Sequence, residues 1–188
     1  MRVIGGQLRS RKLKTLKGQN TRPTSDKIKG AIFSSLAFDV KQDKVLDLFS
    51  GSGSIGIEAL SRGFNIAYLN DKDRRAFKII KENIKDLNLK DKAKVYNLDY
   101  KSLINKLADK LVFDLIFIDP PYNKVDANSI FKKISDANIL AKEGIIVFES
   151  DNKLELAKEI ENFIKYKEKN YKATTIHYYK NKWLKEGV

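Results

Sequence analysis

Between Val45 and Glu149 the apolar positions of this chain alternate between two periods. Short runs rich in β-branched and aromatic residues, at Val45–Phe49, Ile66–Asn70, Lys94–Leu98, Phe113–Ile118 and Ile145–Glu149, predict five strands. Between them the apolar residues recur at helical spacing. One helix follows Gly56 and runs through Arg62, and a second covers Arg74–Leu87 with Phe77, Ile80, Ile84 and Leu87 on one side. Two more are expected over Lys101–Lys110 and Ile130–Ile139, and a last one over Leu154–Ile164. Leu115-Ile116-Phe117-Ile118 is apolar at four consecutive positions, so both faces of that strand must be buried, as in a parallel sheet.

Strand and helix alternation of this kind predicts an α/β, doubly wound sheet whose ligands lie outside the carboxyl ends of the strands. The end of the chain breaks the rule: Tyr166–Tyr171 and Thr174–Lys180 follow one another with no helix between them, so an antiparallel hairpin is expected. At the other end, Arg2-Val3-Ile4-Gly5-Gly6 and Leu13–Gly18 suggest a small hairpin or extended arm. Arg22-Pro23-Thr24-Ser25-Asp26 is a helix-start signal with Thr24 as cap, leading to a helix with Ile28, Ala31, Ile32, Ser35 and Leu36 on one face. Gly30 weakens that helix by roughly 1 kcal/mol relative to Ala. The expected organisation is therefore a basic arm or hairpin over residues 1–23 and a single domain over 24–188.

Composition narrows the chemistry. The 188 residues include no Cys and one His, which excludes thiolate nucleophiles, disulfides and Cys-ligated zinc and argues against a Ser-His-Asp triad or a multi-His metal site. His177 is read as structural. No apolar run reaches the length of a membrane span and the N-terminus carries no apolar leader, so a cytoplasmic protein is expected; a monomer is the working expectation, which these features do not decide. The net charge of +13 is unevenly spread. Residues 1–30 hold Arg2, Arg9, Arg11, Lys12, Lys14, Lys17, Arg22, Lys27 and Lys29 against Asp26 alone, whereas the rest of the chain is closer to balance. A basic segment beside a more balanced body points to nucleic acid phosphates, with Arg9, Arg11, Lys12 and Arg22 as candidate contacts.

Two motifs carry chemistry. Gly51-Ser52-Gly53-Ser54-Ile55-Gly56 follows a strand and opens a helix, and Asp71 lies 20 residues beyond Gly51. That pattern also fits a nicotinamide dinucleotide site. Asp47 tilts the choice, because a carboxylate at the first strand end repels a pyrophosphate and welcomes a cationic amino acid moiety. The second motif, Asp119-Pro120-Pro121-Tyr122, has no part in hydride transfer. Its two prolines lack N–H donors, which frees the carbonyls of Asp119 and Pro120 for a ligand, and Tyr122 offers a ring beside a carboxylate. An acceptor beside a stacking platform suits a planar heterocycle with an amino group. S-adenosylmethionine matches the other half of the cleft: Asp47, Gly51 and Gly53 at its amino acid end, Asp71 at the ribose hydroxyls, Asp99 and its neighbours at the adenine.

With Arg2–Gly6, Arg22-Pro23-Thr24, Val45–Gly53, Asp71–Arg74 and Phe113–Tyr122 taken together, the chain resembles the bacterial 16S ribosomal RNA guanine-N2 methyltransferases over nearly its whole length. The resemblance implies a Rossmann-like class I methyltransferase fold with a seven-stranded, mostly parallel sheet. It implies S-adenosylmethionine as donor and a guanine N2 amine of small-subunit rRNA, naked or in the particle, as acceptor. By motif position it puts catalysis at Asp119, Pro120 and Tyr122, with Pro121 beside the substrate. Gly30 and Ser34 stand where the family helix more often has Glu and Asn, and Asp71 where Glu is more usual. Competing readings are a DNA or RNA methyltransferase for adenine N6 or cytosine N4, an NAD-dependent oxidoreductase, and a non-enzymatic RNA-binding protein.

Overall fold

The structure is a computed structural model, and it describes residues 1–16, 25–36, 39–121 and 126–182. Its described strands are β1 (Lys44–Asp47), β2 (Ile66–Asn70), β3 (Ala93–Tyr96), β4 (Phe113–Ile118), β5 (Leu140–Ser150), β6 (Glu159–Ile160), β7 (Phe163–Tyr171) and β8 (Thr174–Asn181). The helices are α1 (Asp26–Leu36), α2 (Ser54–Ser61), α3 (Arg74–Asp86), α4 (Tyr100–Leu107) and α5 (Ala127–Asp136). The strands form one sheet in the order β3-β2-β1-β4-β5-β8-β7-β6. Strands β1 to β5 pair in parallel, and β8 adds antiparallel to β5. The order turns back at β1, the point at which an open α/β sheet leaves a crevice.

Each strand residue commits to one of two cores. Val45, Leu69, Leu115, Phe117, Val147 and Tyr178 pack with α1, α2, α3 and the N-terminal Val3 and Leu13. Leu46, Tyr68, Ile116, Ile118, Ile146, Phe148 and Tyr179 pack with α4 and α5 on the other face. The unbroken apolar run in β4 is thus two alternating rows, each buried against its own helical layer.

Three expectations are corrected. First, Leu154–Ile164 is not a helix. Leu156, Ile160 and Phe163 have helical spacing and are buried, but the carbonyls of Leu156 and Ala157 accept from Lys165 Nζ at 2.9 Å and Tyr179 Oη at 2.7 Å. Glu161 turns left-handed (φ 50°) into β7, and the two residues before it form β6, which makes the described sheet eight-stranded where seven strands were expected. Second, α1 buries Lys29, Ile32, Phe33 and Leu36, a face rotated from the expected one. Third, α5 starts and stops three residues early: Asp126 caps it by accepting from Asn128 and Ser129, and Asn138 at φ 48° ends it. Thr24, the expected cap of α1, lies outside the described residues, and Ser25 Oγ accepts from Ile28 N at 3.2 Å.

Residues 1–13 form a tight hairpin, with Arg2 bridged to Lys12 and Val3 N donating to Arg11 O at 2.9 Å. It is seated on α2. The N–H groups of Ile4 and Gly5 donate to the Glu58 carboxylate at 2.7 and 2.8 Å, and Arg62 Nε donates to it at 2.7 Å. Lys29, with its side chain fully buried, donates to Arg2 O at 2.7 Å and lies 3.8 Å from Glu58. Gly6 (φ 73°) passes so close to α2 that a Cβ there would overlap Ser61 O. Gly30 lies against Ile4, where a Cβ would make an ordinary contact at 3.4 Å from Ile4 Cγ2.

Candidate active site

The glycine turn is built by three polar residues. Ser50 N donates to Asn70 O at 2.8 Å, Ser50 Oγ donates to Asp47 O at 2.8 Å, and Asn70 N donates back to Ser50 Oγ at 3.0 Å. Asn70 Nδ2 then ties in the carbonyls of Leu48 and Leu98, joining the ends of β1, β2 and β3. Gly51 (φ 56°) and Gly53 (φ 79°) take left-handed conformations that favour glycine. A Cβ at Gly51 would meet no atom within 4 Å, so the turn faces open space. At Gly56 a Cβ would come within 2.7 Å of Leu69 Cδ2, so this glycine lets α2 lie against β2.

Asp47 ends β1 beneath this turn. It is 1% exposed and accepts from Gly56 N at 3.1 Å. No cation of the described residues bonds to it, and burial pushes its carboxyl up to about 7. Asp71, at the end of β2, accepts from Gly51 N and Asp73 N, both at 2.9 Å. It thereby braces the turn, and burial raises its carboxyl despite those bonds. Asp99 is exposed and caps α4, accepting from Lys101 N at 2.9 Å.

Across the switch point, Asp47 is in register with Phe117. Asp119 follows two residues later on the same side of β4, and Pro120 and Pro121 carry the chain out of the sheet. The Asp119 carboxyl is raised well above the ordinary range, first by burial and then by the charges of Glu149 and Asp47. Tyr122 lies outside the described residues, as does Arg22. Beside Pro120 and Pro121 a cleft of about 320 Å³ opens between the end of β5, the start of α5 and residues 154–157. Arg9, Arg11 and Lys12 are exposed on the hairpin, and its first residue reaches the glycine turn, with Met1 Sδ 3.7 Å from Ser52 Oγ. Beside it, Asn83 bridges Lys14 to Ser52 O.

The structure therefore gathers Asp47, Gly51, Gly53, Asp71 and Asp119 at one edge of the sheet and leaves Asp99 at a helix cap. Sequence reasoning missed Asn70, Glu58 and Glu149. The signal for Glu58 was a lone acid in the apolar Ile55-Gly56-Ile57-Glu58-Ala59-Leu60. For Glu149 it was a carboxylate directly after Ile145-Ile146-Val147-Phe148. His177 is a buried bridge, with Nε2 2.9 Å from Ser150 Oγ and Nδ1 3.0 Å from Glu168 Oε2. Among the described residues no group of His, Cys, Asp and Glu could hold a metal ion, and no helix is long and apolar enough to cross a membrane.

Comparison with known proteins agrees with this geometry. The model of the family described as conserved hypothetical protein 95 matches residues 1–180. "Putative rRNA methyltransferase YlbH" of Bacillus subtilis is 37% identical over 183 residues, covering 97% of this chain and all of that protein. "Ribosomal RNA small subunit methyltransferase D" of Haemophilus influenzae is 30% identical over 96% of this chain and 94% of its own length. The solved structure of "Putative methyltransferase yhhF" from Escherichia coli superposes with a TM-score of 0.84 at 28% identity, covering 96% of this chain and 97% of that one. The fold is that of the class I methyltransferases, and the chain belongs to the conserved hypothetical protein 95 family of small-subunit ribosomal RNA methyltransferases.

Proposed function

We propose that this protein transfers a methyl group from S-adenosylmethionine to the exocyclic N2 amine of a guanine in small-subunit ribosomal RNA. The observation that carries the reading is the placement of Asp47 and Asp119 at the carboxyl ends of adjacent parallel strands, two acids with no cation of the described residues bonded to them, beside a glycine turn that faces open space. A donor bearing an ammonium and a sulfonium suits such a site. Asp47 would hold the ammonium, Gly51 and Gly53 would let the backbone approach, and Asp71 would accept from the ribose hydroxyls while bracing the turn. When bound, the donor supplies a methyl group on a positively charged sulfur.

The remaining work falls to the protein. An aromatic amine is a poor nucleophile while its lone pair is delocalised, so Asp119 and the Pro120 carbonyl would hold the two amine hydrogens and turn the lone pair towards the methyl. The amine nitrogen becomes cationic as it gains the methyl, and a proton must leave it. Asp119, held beside that amine, or a water molecule would take the proton. Tyr122 would stack on a base drawn out of its helix, worth roughly 1 to 3 kcal/mol. Arg9, Arg11, Lys12 and Arg22 would meet RNA phosphates, and Pro121 would border the base.

The test is transfer of labelled methyl to small-subunit rRNA, naked and within particles, followed by nucleoside analysis. N2-methylguanosine is the expected product; N6-methyladenosine or N4-methylcytidine would assign the site to the other amino-methyltransferase class.

A further inference from the structure

The row of strand-end carboxylates has a third member. β5 pairs in parallel with β4, and Ile118 lies opposite Phe148. Asp119 and Glu149 are the next positions on each strand, so they lie side by side. They share the face of Phe117 and Val147, away from that of Ile118 and Phe148. Glu149 is 4% exposed and borders the cleft together with Pro120 and Pro121.

The three amino-bearing bases differ in the ring atom beside the amine. In guanine it is N1–H, a donor. In adenine it is N1 and in cytosine N3, both bare acceptors. A carboxylate facing that atom completes a hydrogen bond to guanine and sets lone pair against lone pair with the other two.

We propose that Glu149 reads the target base, its carboxylate accepting the N1–H of guanine while Asp119 and the Pro120 carbonyl hold the N2 hydrogens. The proposal rests on the guanine-N2 reading above and deepens it: Asp119 alone would serve any of the three amines, and Glu149 selects one.

The experiment replaces the methylated guanosine, once mapped, with 2-aminopurine in the same rRNA. This base keeps the N2 amine, exchanges N1–H for a bare acceptor and lacks O6, so the effect of N1 is read from the change that a Glu149 variant makes in the ratio. The wild-type protein should lose about 10⁴-fold in kcat/KM on 2-aminopurine relative to guanine, the penalty typical of a site built to bond a missing N–H. Glu149→Gln, which can turn an amide N–H towards the ring, should compress that ratio by about 10-fold or more. Glu149→Asp keeps a carboxylate and should keep the preference at a lower rate. Comparing ratios cancels the difference in intrinsic reactivity of the two amines and any general damage to the fold. Equal rates of wild-type protein on both bases, or a ratio that Glu149→Gln leaves unchanged, would overturn the role of Glu149. If Glu149→Gln does not fold, Glu149→Ala decides in its place: the proposal expects the ratio to shrink, and an unchanged ratio overturns it. A product other than N2-methylguanosine would instead refute the underlying reading, so the two failures are distinguishable.

Discussion

Helix α2 separates two buried acids that the fold treats in opposite ways. Glu58, on the side of the N-terminal hairpin, is fully enclosed yet meets two backbone N–H groups, Arg62 and Lys29. Asp47, under the start of the same helix, is as deeply buried; its carboxyl accepts from Gly56 N–H at 3.1 Å, and no cation of the described residues bonds to it. The fold supplies the countercharge for Glu58 itself. Among the described residues Asp47 meets no such countercharge. A buried acid compensated internally marks a joint; under the proposed function, the uncompensated one is where the donor's ammonium would sit.

The largest effect expected is on the open side of this comparison. Asp119→Ala should bind donor within a few-fold of wild type by calorimetry and lose about 10²- to 10⁴-fold in single-turnover transfer, the usual contribution of a positioned acid or base. A wild-type transfer rate would remove Asp119 from the chemistry. On the closed side, Glu58→Ala leaves Lys29 buried without its inner carboxylate and orphans the N–H groups of Ile4 and Gly5. Denaturant unfolding should show a loss of about 3 to 5 kcal/mol. A loss under about 1 kcal/mol would mean that water already enters the joint.

Asp47 tests the contrast through pH. Its folded carboxyl sits at about 7, above the unfolded value of about 3.9. The folded state therefore holds the proton more tightly, and donor-free stability should fall as pH rises from about 4 to about 7 and then level off. Three units correspond to about 4 kcal/mol as an upper figure. Asp71 and Asp119 are raised as well and act in the same direction, while His177, lowered by burial, acts against it below its ordinary value of 6.5. The informative quantity is thus the difference between wild type and Asp47→Asn in melting temperature at pH 5 and pH 8. The variant should be the less pH-sensitive of the two and should fail to bind donor. Equal slopes would show that Asp47 is solvated in the folded protein.

These two sides were not equally legible in the sequence. The open side is written in local patterns: a glycine turn after an apolar strand, an acid 20 residues on, and Asp-Pro-Pro after four apolar residues. Each needs only its own strand and turn to be recognised. The closed side joins Ile4, Gly5, Lys29, Glu58 and Arg62, and nothing local says that a lysine on one helix will meet a glutamate on another. Glu149 carried a local signal, a carboxylate closing an apolar strand, but its place beside Asp119 was illegible for a related reason, since strand register and not sequence distance sets it. The helix expected at Leu154–Ile164 failed the other way. Its local spacing was right for a helix, but Lys165 and Tyr179, arriving from β7 and β8, took the carbonyls that a helix would have used.

The smallest effect concerns what the joint is for. Val3 and Leu13 are buried in the main core, and Arg9, Arg11 and Lys12 lie exposed between them on a hairpin held by Glu58. If the hairpin presents these cations to RNA, replacing all three with Glu should lower the slope of log affinity against log salt by about 2, at roughly 0.7 per single-strand phosphate contact. Stability should hardly change, since exposed substitutions away from packing contacts cost within about 0.5 kcal/mol. Donor affinity should also hold, because none of the three touches the glycine turn. A slope that survives the triple reversal would separate the hairpin from RNA altogether. The Glu58 joint would then serve the glycine turn alone, which the hairpin reaches through Met1 at Ser52 and through the Asn83 bridge from Lys14.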